Sequence, residues 1–157
     1  MRGVKMKMKT NKKGVTLIEL IVVLVIIAIG AVLLAPHIGI WLPNYRLRSA
    51  TRDIASTMRL AQMKAVSNNA EYQVSFDQNA GSYILQRHTG GVWLDDGVKQ
   101  TLPTGITIKA ISFSGTPNIA QFNPNSTSSS GSITLQNTKK TERKITLTPS
   151  TGKIKTE

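Results

Sequence analysis

A chain of 157 residues with 20 Lys plus Arg, 8 Asp plus Glu and no cysteine is one modest domain with a formal charge of +12. Hydrophobic residues at 40% and charged residues at 18% exclude wholesale disorder, while aromatics at 5% imply a thin core. Disulfides and thiolate metal sites are excluded, and the basic total points to nucleic acid only if the charge sits on a folded surface.

Residues 1–14 carry Arg2, Lys5, Lys7, Lys9, Lys12 and Lys13 without an acid and end at Gly14, the pattern of a cytoplasmic, positive-inside leader. Val15 to Ala35 follows as an almost unbroken apolar run. At 1.5 Å per residue a helix of that length spans ~31 Å, one bilayer hydrocarbon core. A secretory signal has a shorter apolar stretch with its small-residue cleavage site on the far side. Here the small-residue junction precedes the run, so the apolar segment is expected to stay in the mature protein. Glu19 is out of place within it. A carboxylate at mid-bilayer costs ~2.5–3.5 kcal/mol, and the surrounding Leu, Ile and Val residues return ~6 kcal/mol, so insertion survives the acid. Glu19 either snorkels to the interface or meets a positive partner.

Pro36 and Pro43 can each kink or end a helix. Beyond Pro43 the spacing of Leu47, Ala50, Ile54, Met58, Ala61 and Ala65 predicts an amphipathic helix, with Arg46, Arg48, Arg52, Arg59 and Lys64 mainly off the apolar face. Residues 36–69 are thus expected to form a kinked amphipathic helix ending near Ser67, Asn68 and Asn69.

Residues 70–157 read as short strands: 71–76, 82–88, 92–94, 105–113, 119–122, 132–136, 144–148 and 153–155, the last two pairing as a hairpin around Pro149 to Gly152. Ser126 to Gly131, polar throughout, predicts a flexible loop. The expected fold class is α+β: a long N-terminal helix, transmembrane in its first half and amphipathic in its second, with its apolar stripe on one face of an antiparallel sheet.

Nothing in the chain resembles a nucleophile with its base or a phosphate-cradling loop, so no catalytic residue, cofactor or metal is assigned. His37 and His88 lack acids at ligand spacing. Asp95-Asp96-Gly97 reads as a turn, since two acids cannot supply the six or more oxygens of a calcium site. Trp41 reads as an interfacial anchor and Trp93 as a residue packed in the sheet.

Lys12-Lys13-Gly14-Val15-Thr16-Leu17-Ile18-Glu19-Leu20 resembles the processing site of type IV prepilins and of type II secretion pseudopilins: a basic leader ending in Gly, an acid as fifth residue after it, then a long apolar helix. Pro36 falls where many pilins have a kink. The resemblance implies that a prepilin peptidase cuts between Gly14 and Val15 at the inner membrane and methylates the new amino terminus; Val15 replaces the Phe usual there. It also implies that the Val15 amine and Glu19 of an adjacent pilin subunit set the register of a filament whose soluble domains lie on the periplasmic side or beyond.

Arg59-Leu60-Ala61-Gln62-Met63-Lys64-Ala65 resembles a helix of the GspH/FimT group of minor pilins. The tail, with Phe122, Pro124, Ile133, Leu135, Arg143, Ile145, Leu147 and Gly152, is similar to that group's closing strands. Members serve as structural subunits near the tip of a type II secretion pseudopilus or a type IV pilus. The FimT branch, alternatively, binds DNA in natural transformation through a Gly-Arg-x-Arg motif. Here that spacing is Gly152-Lys153-Ile154-Lys155. Strand alternation puts Lys153 and Lys155 on one face, where they either meet phosphates nonspecifically or guard a solvated edge, and lysine lacks the bidentate fork that base recognition uses. Lys139, Lys140, Arg143 and Lys144 extend the candidate DNA-binding patch. Removing the leader takes six of the twelve net charges, leaving +6.

Overall fold

The computed structural model describes residues 14–157, and of 33–40 the backbone alone. One helix, α1, runs Leu17–Ser67 and is followed by nine strands: β1 Tyr72–Asp77, β2 Ser82–Thr89, β3 Val92–Asp95, β4 Gln100–Thr101, β5 Ile106–Phe113, β6 Ile119–Phe122, β7 Gly131–Asn137, β8 Glu142–Thr148 and β9 Lys153–Thr156. Compact units divide between Ile38 and Gly39.

In the first unit, helical backbone continues through Pro36, as it does through Pro43 in the second. Missing proline N–H groups therefore do not end α1 at either position. The apolar side chains from Val15 to Val32 are predominantly exposed, Val15 and Leu17 at 75% and 77%. Among the described residues no helix is long and apolar enough to cross a membrane. The expected span 15–35 runs into side chains outside the described residues, and the leader lies outside them up to residue 13.

The second unit is built around the predicted stripe. Leu47, Ala50, Ile54, Met58, Ala61 and Ala65 are all at most 1% exposed and share one cluster with Tyr72, Val74 and Phe122 and with Ile133, Leu135, Ile145 and Leu147. The small alanines at 50, 61 and 65 leave room for the large strand residues opposite. The helix ends on a left-handed residue, Asn69 (φ 46°), with Ala70 N–H donating to Ala65 O and Asn69 N–H to Val66 O. These two hydrogen bonds close the last turn with Asn in the place glycine usually takes.

The strands form two antiparallel sheets rather than the one expected. The first has the order β3-β2-β1-β6 with β4 also on β2, and the second β5-β7-β8-β9. The two-residue β4 is too short to show a period, which is why the sequence does not announce it. The chain changes sheet three times, from β4 to β5, from β5 to β6 and from β6 to β7. After β5 a turn, with Phe113 N–H donating to Pro117 O, sends β6 back to β1 instead of along β5. Buried residues alternate along β8 and β7 in step with the pairing Ile133↔Ile145.

Ser126 to Gly131 is not a free loop. Ser128 bridges Phe122, its N–H donates to Pro149 O and its hydroxyl to Thr148 O; Ser129 N–H donates to Gln121 O, and Ser130 exchanges bonds with Ser114. Serine hydroxyls and backbone groups satisfy one another without apolar residues, so polar composition alone does not make the loop mobile. Gly131 closes it at φ 152°, and a Cβ there would lie 2.1 Å from Ser112 O, leaving room for glycine only.

Candidate functional site

Gly14, Val15 and Thr16 precede the helix and are exposed. Thr16 Oγ1 accepts the backbone N–H of Glu19 at 3.3 Å, and Leu20 N–H donates to Thr16 O at 3.2 Å. Thr16 is therefore the N-cap and Glu19 the third helical residue, the Thr-x-x-Glu arrangement of a capping box. The acid sits in the first turn, where the helix dipole favours negative charge. The same dipole disfavours an amine beside it, so a Val15 amine freed at this end requires a nearby anion. Sequence reasoning found Glu19 but missed its cap, although Thr16 three residues before an acid was the available signal.

The closing hairpin arranges its cations as alternation requires. Lys153 and Lys155 are exposed while Ile154 between them packs against the core. Register pairs Thr148↔Lys153 and Thr146↔Lys155. Lys144 is exposed in β8 and shares the outward set with Thr146 and Thr148, whereas Arg143 alternates to the side of Ile145 and Leu147. Arg143 lines a cleft of about 250 Å³ with Asn44, Leu47, Arg48, Thr141, Glu142 and Glu157. Lys139 and Lys140 form the exposed β7–β8 turn, Lys140 at φ 61° and Lys139 N–H held by Asn137 Oδ1. The six predicted basic residues thus divide: Lys144, Lys153 and Lys155 share one outward face, the turn pair stands beside it, and Arg143 does not join.

Carboxylates moderate this face. Lys155 Nζ is 2.6 Å from Glu157 Oε1, a contact that raises the lysine pKa and lowers that of Glu157, through the hydrogen bond first and the opposite charge second. Glu142 takes Lys109 at 2.6 Å. Two residues apart on one strand face was the signal for the Lys155–Glu157 pair, and sequence reasoning did not use it.

Gly152 has a structural task. Its φ is +59°, and a Cβ would stand 2.3 Å from Gln62 Nε2 and 2.9 Å from Ser126 O, while Gln62 donates to Thr151 O at 3.1 Å. The β8–β9 turn therefore seats against α1 at Gln62. Farther along, Arg46 donates to Thr104 O at 3.1 Å and Asn137 to Asn44 Oδ1 at 2.9 Å, so the β4–β5 loop and the end of β7 hold this part of the helix.

On the other flank a groove of about 340 Å³ lies between α1 and the β2–β4 region, lined by Asp53, Thr57, Leu60, Tyr83, Asp96 and Val98. Burial raises the Tyr83 pKa, a hydrogen bond with Thr57 opposes that, and the Asp53 charge adds to it. Asp96 is held by Lys64 at 2.8 Å and Asp95 takes Gln86 at 2.9 Å, so both turn acids have protein partners. Glu71 stands 3.5 Å from His88, whose ring lies tilted against its cross-strand neighbour Trp93 at 4.8 Å. The His37 side chain lies outside the described residues. Among the described residues, no group of three or more His, Cys, Asp or Glu could hold a metal.

The family model for the type II transport protein GspH matches residues 50–151. The chain belongs to the GspH family. A second model, the prokaryotic N-terminal methylation motif, matches residues 9–35 of this GspH-family chain. Its fold is similar to that of the minor pseudopilin EpsH from the type 2 secretion system of Vibrio cholerae, with TM-score 0.62 and 10% identity over 71% of this chain and 96% of that one. It is also similar to the type IV minor pilin FimU of Pseudomonas aeruginosa, with TM-score 0.58 and 14% identity over 73% and 90%. No curated protein matches the chain. As a GspH-family member carrying the methylation motif, the chain has the role of a minor pilin-type structural subunit of a type II secretion or type IV pilus system.

Proposed function

We propose that this subunit is made as a precursor, cut by a prepilin peptidase between Gly14 and Val15, methylated on Val15, held in the inner membrane by the 15–35 segment and drawn from there into a pilus or pseudopilus near its tip. The observation that carries this reading is Glu19, beside its N-cap Thr16 at the start of an apolar helical segment whose described side chains are predominantly exposed. An exposed run of Val, Ile and Leu is unfavourable in water, at ~25 cal/mol per Å² of apolar surface, and needs lipid or the helices of other subunits. Within lipid the Glu19 carboxylate needs a cation, and the Val15 amine of a neighbouring subunit supplies one.

The soluble part, 39–157, is then cargo of the helix: it faces the periplasm or the filament surface and meets other subunits. Its role is structural rather than catalytic. The test is Glu19→Ala in the full chain. The variant is expected to insert and be cut as the wild type is, while its share in the sheared filament fraction falls; an undiminished share removes the register role.

A second reading, phosphate binding by the closing hairpin as in DNA uptake, is favoured by one observation: Lys144, Lys153 and Lys155 all emerge on one face of β8–β9. Such contacts would be nonspecific and salt-dependent. A gel shift comparing the wild type with Lys153→Ala plus Lys155→Ala is expected to show weaker binding by the double variant, and equal binding removes this site.

A further inference from the structure

The end of the 39–157 unit that follows the apolar segment in the chain collects cations and aromatic rings. Trp41 and Tyr45 stack on each other at 4.9 Å yet remain 60% and 54% exposed. Within one helical turn of Trp41 stands Asn44, whose Oδ1 accepts the Asn137 side-chain N–H at 2.9 Å. Asn137 is itself buried and builds the β7–β8 turn: its Oδ1 accepts the N–H groups of Lys139 and Thr141, its own N–H donates to Thr141 O, and its carbonyl accepts Lys140 N–H. One buried amide thus fixes exposed Lys139 and Lys140 beside the start of this helical stretch. Arg48 and Arg143 line the adjoining cleft with Asn44 and Thr141. Among the described residues none of these four cations makes an ion pair, while the nearby carboxylates of Glu142 and Glu157 are held by Lys109 and Lys155.

We infer that this end of the soluble part rests on anionic phospholipid headgroups, with Arg48, Lys139, Lys140 and Arg143 on lipid phosphates and the Trp41–Tyr45 pair in the interfacial layer. The inference rests on the reading of residues 15–35 as a membrane segment. Trp41 follows Ala35 by six residues, a leash of ~20 Å even when fully extended, so an inserted apolar run concentrates the cations at the bilayer surface. Ile38, Ile40 and Leu42 prolong the apolar sequence to that point. Trp and Tyr favour the headgroup level because their rings are apolar while their N–H or O–H reaches water. Lysine and arginine beside them gain from the negative surface potential, which decays over a Debye length of ~8 Å. Position therefore selects these four cations over Lys153, whose neighbour Gly152 packs on Gln62, ~27 Å beyond Asn44 along α1. A DNA duplex could meet the same four cations, but it offers the aromatic pair no apolar layer and is repelled by an anionic bilayer. The lipid contact holds the subunit down at the membrane and has to break when the subunit leaves it.

The test uses the full-length chain in vesicles of phosphatidylcholine alone or with phosphatidylglycerol as roughly a third of the lipid. The chain has no cysteine, so a fluorophore is placed uniquely through Thr138→Cys in the β7–β8 turn or Ser150→Cys in the β8–β9 turn, both exposed. A nitroxide borne on lipid headgroups quenches whichever label lies at the surface. The expected result is strong quenching at position 138 in phosphatidylglycerol vesicles, weak quenching there in phosphatidylcholine or at high salt, and none at position 150. Each cation at an anionic surface is worth about fivefold in the bound-to-free ratio, so Arg48→Gln plus Lys139→Gln plus Lys140→Asn should lower that ratio about 100-fold. Asparagine is used at 140 because φ there is 61°. Arg48→Lys plus Lys139→Arg plus Lys140→Arg, which keeps the charge, should retain the quenching, as should Lys153→Ala plus Lys155→Ala. Flotation of the chain with quenching that is equal in the two lipids, undiminished by neutralisation, or as strong at 150 as at 138 overturns the inference and leaves the membrane reading standing. Release of the position-138 label from lipid by an added DNA duplex assigns the cations to nucleic acid and also overturns it. A chain that does not float with either vesicle overturns both readings.

Discussion

Gly152 joins two functions in one residue, ending the β8–β9 turn in a left-handed conformation and leaving space for Gln62 of the helix. Gly152→Ala adds a methyl to a strained φ and displaces the Gln62–Thr151 bond, so urea unfolding should show a loss of ~1–3 kcal/mol. The glycine of the Gly-x-x-x motif is thus explained by packing without reference to a ligand. The lysines after it are another matter, because Glu157 competes for Lys155. If the hairpin binds phosphates, Glu157→Gln should strengthen binding in the same gel shift in which Lys153→Ala plus Lys155→Ala weakens it. Tyr83 makes a separate prediction. Its pKa is raised by burial, so the phenol contributes stability that is complete below the ordinary tyrosine value of 10.0 and lost as pH rises through the raised value. Tyr83→Phe should flatten that alkaline limb of the pH–stability curve, and an unchanged limb would exclude Tyr83 as its source. At this scale the sequence revealed residues whose spacing alone defines a role, such as Glu19 after Gly14 and the Lys153/Lys155 alternation. It concealed Gln62 against Gly152, a contact between residues ninety positions apart in the chain that no local pattern encodes.

Helix α1 shows how far periodicity carries. Its stripe from Leu47 to Ala65 is buried as the spacing requires, and the strands lie within about two residues of their expected bounds. Because Met58 is fully enclosed, Met58→Ala should cost ~2–5 kcal/mol through transfer and cavity terms. Ala61→Leu, overfilling the contact with the strands, should cost ~1–3 kcal/mol by overpacking. Thermal or urea unfolding of the two variants measures both, and a neutral Ala61→Leu would show that the helix does not bear closely on the sheets there. The division into two sheets was not legible. Whether β6 follows β5 or returns to β1 is decided by the turn around Pro117 and by the burial of Ala120 and Phe122 beside Val74 and Tyr72, choices made between elements rather than within them. The serine loop misled for a related reason: its composition is that of a linker, and its order comes from bonds to Gln121, Thr148 and Pro149 on neighbouring segments.

Over the whole molecule the charge separates along the chain and across the fold. Six positive charges sit in residues 1–14, and the remaining +6 is concentrated on the exposed face of α1 and on the β8–β9 sheet, while Glu71, Asp77, Asp95 and Asp96 belong to the first sheet and its turns. On the proposed reading, a basic total that pointed first to nucleic acid is accounted for by a membrane leader and by surfaces available to other subunits. The family was legible because its signature, a basic stretch, Gly14, Glu19 and an apolar run, is continuous in sequence; which subunits the chain meets is not, since that depends on other chains' surfaces. The central claim is that Glu19 serves assembly. Its most direct test is the partition of the mature chain between inner membrane and sheared filaments, with the amino terminus of each pool sequenced. The wild type is expected to begin at Val15 and enter the filament fraction, while Glu19→Ala also begins at Val15 but remains in the membrane. Equal entry of both into filaments, or a filament-borne chain still beginning at Met1, would contradict it.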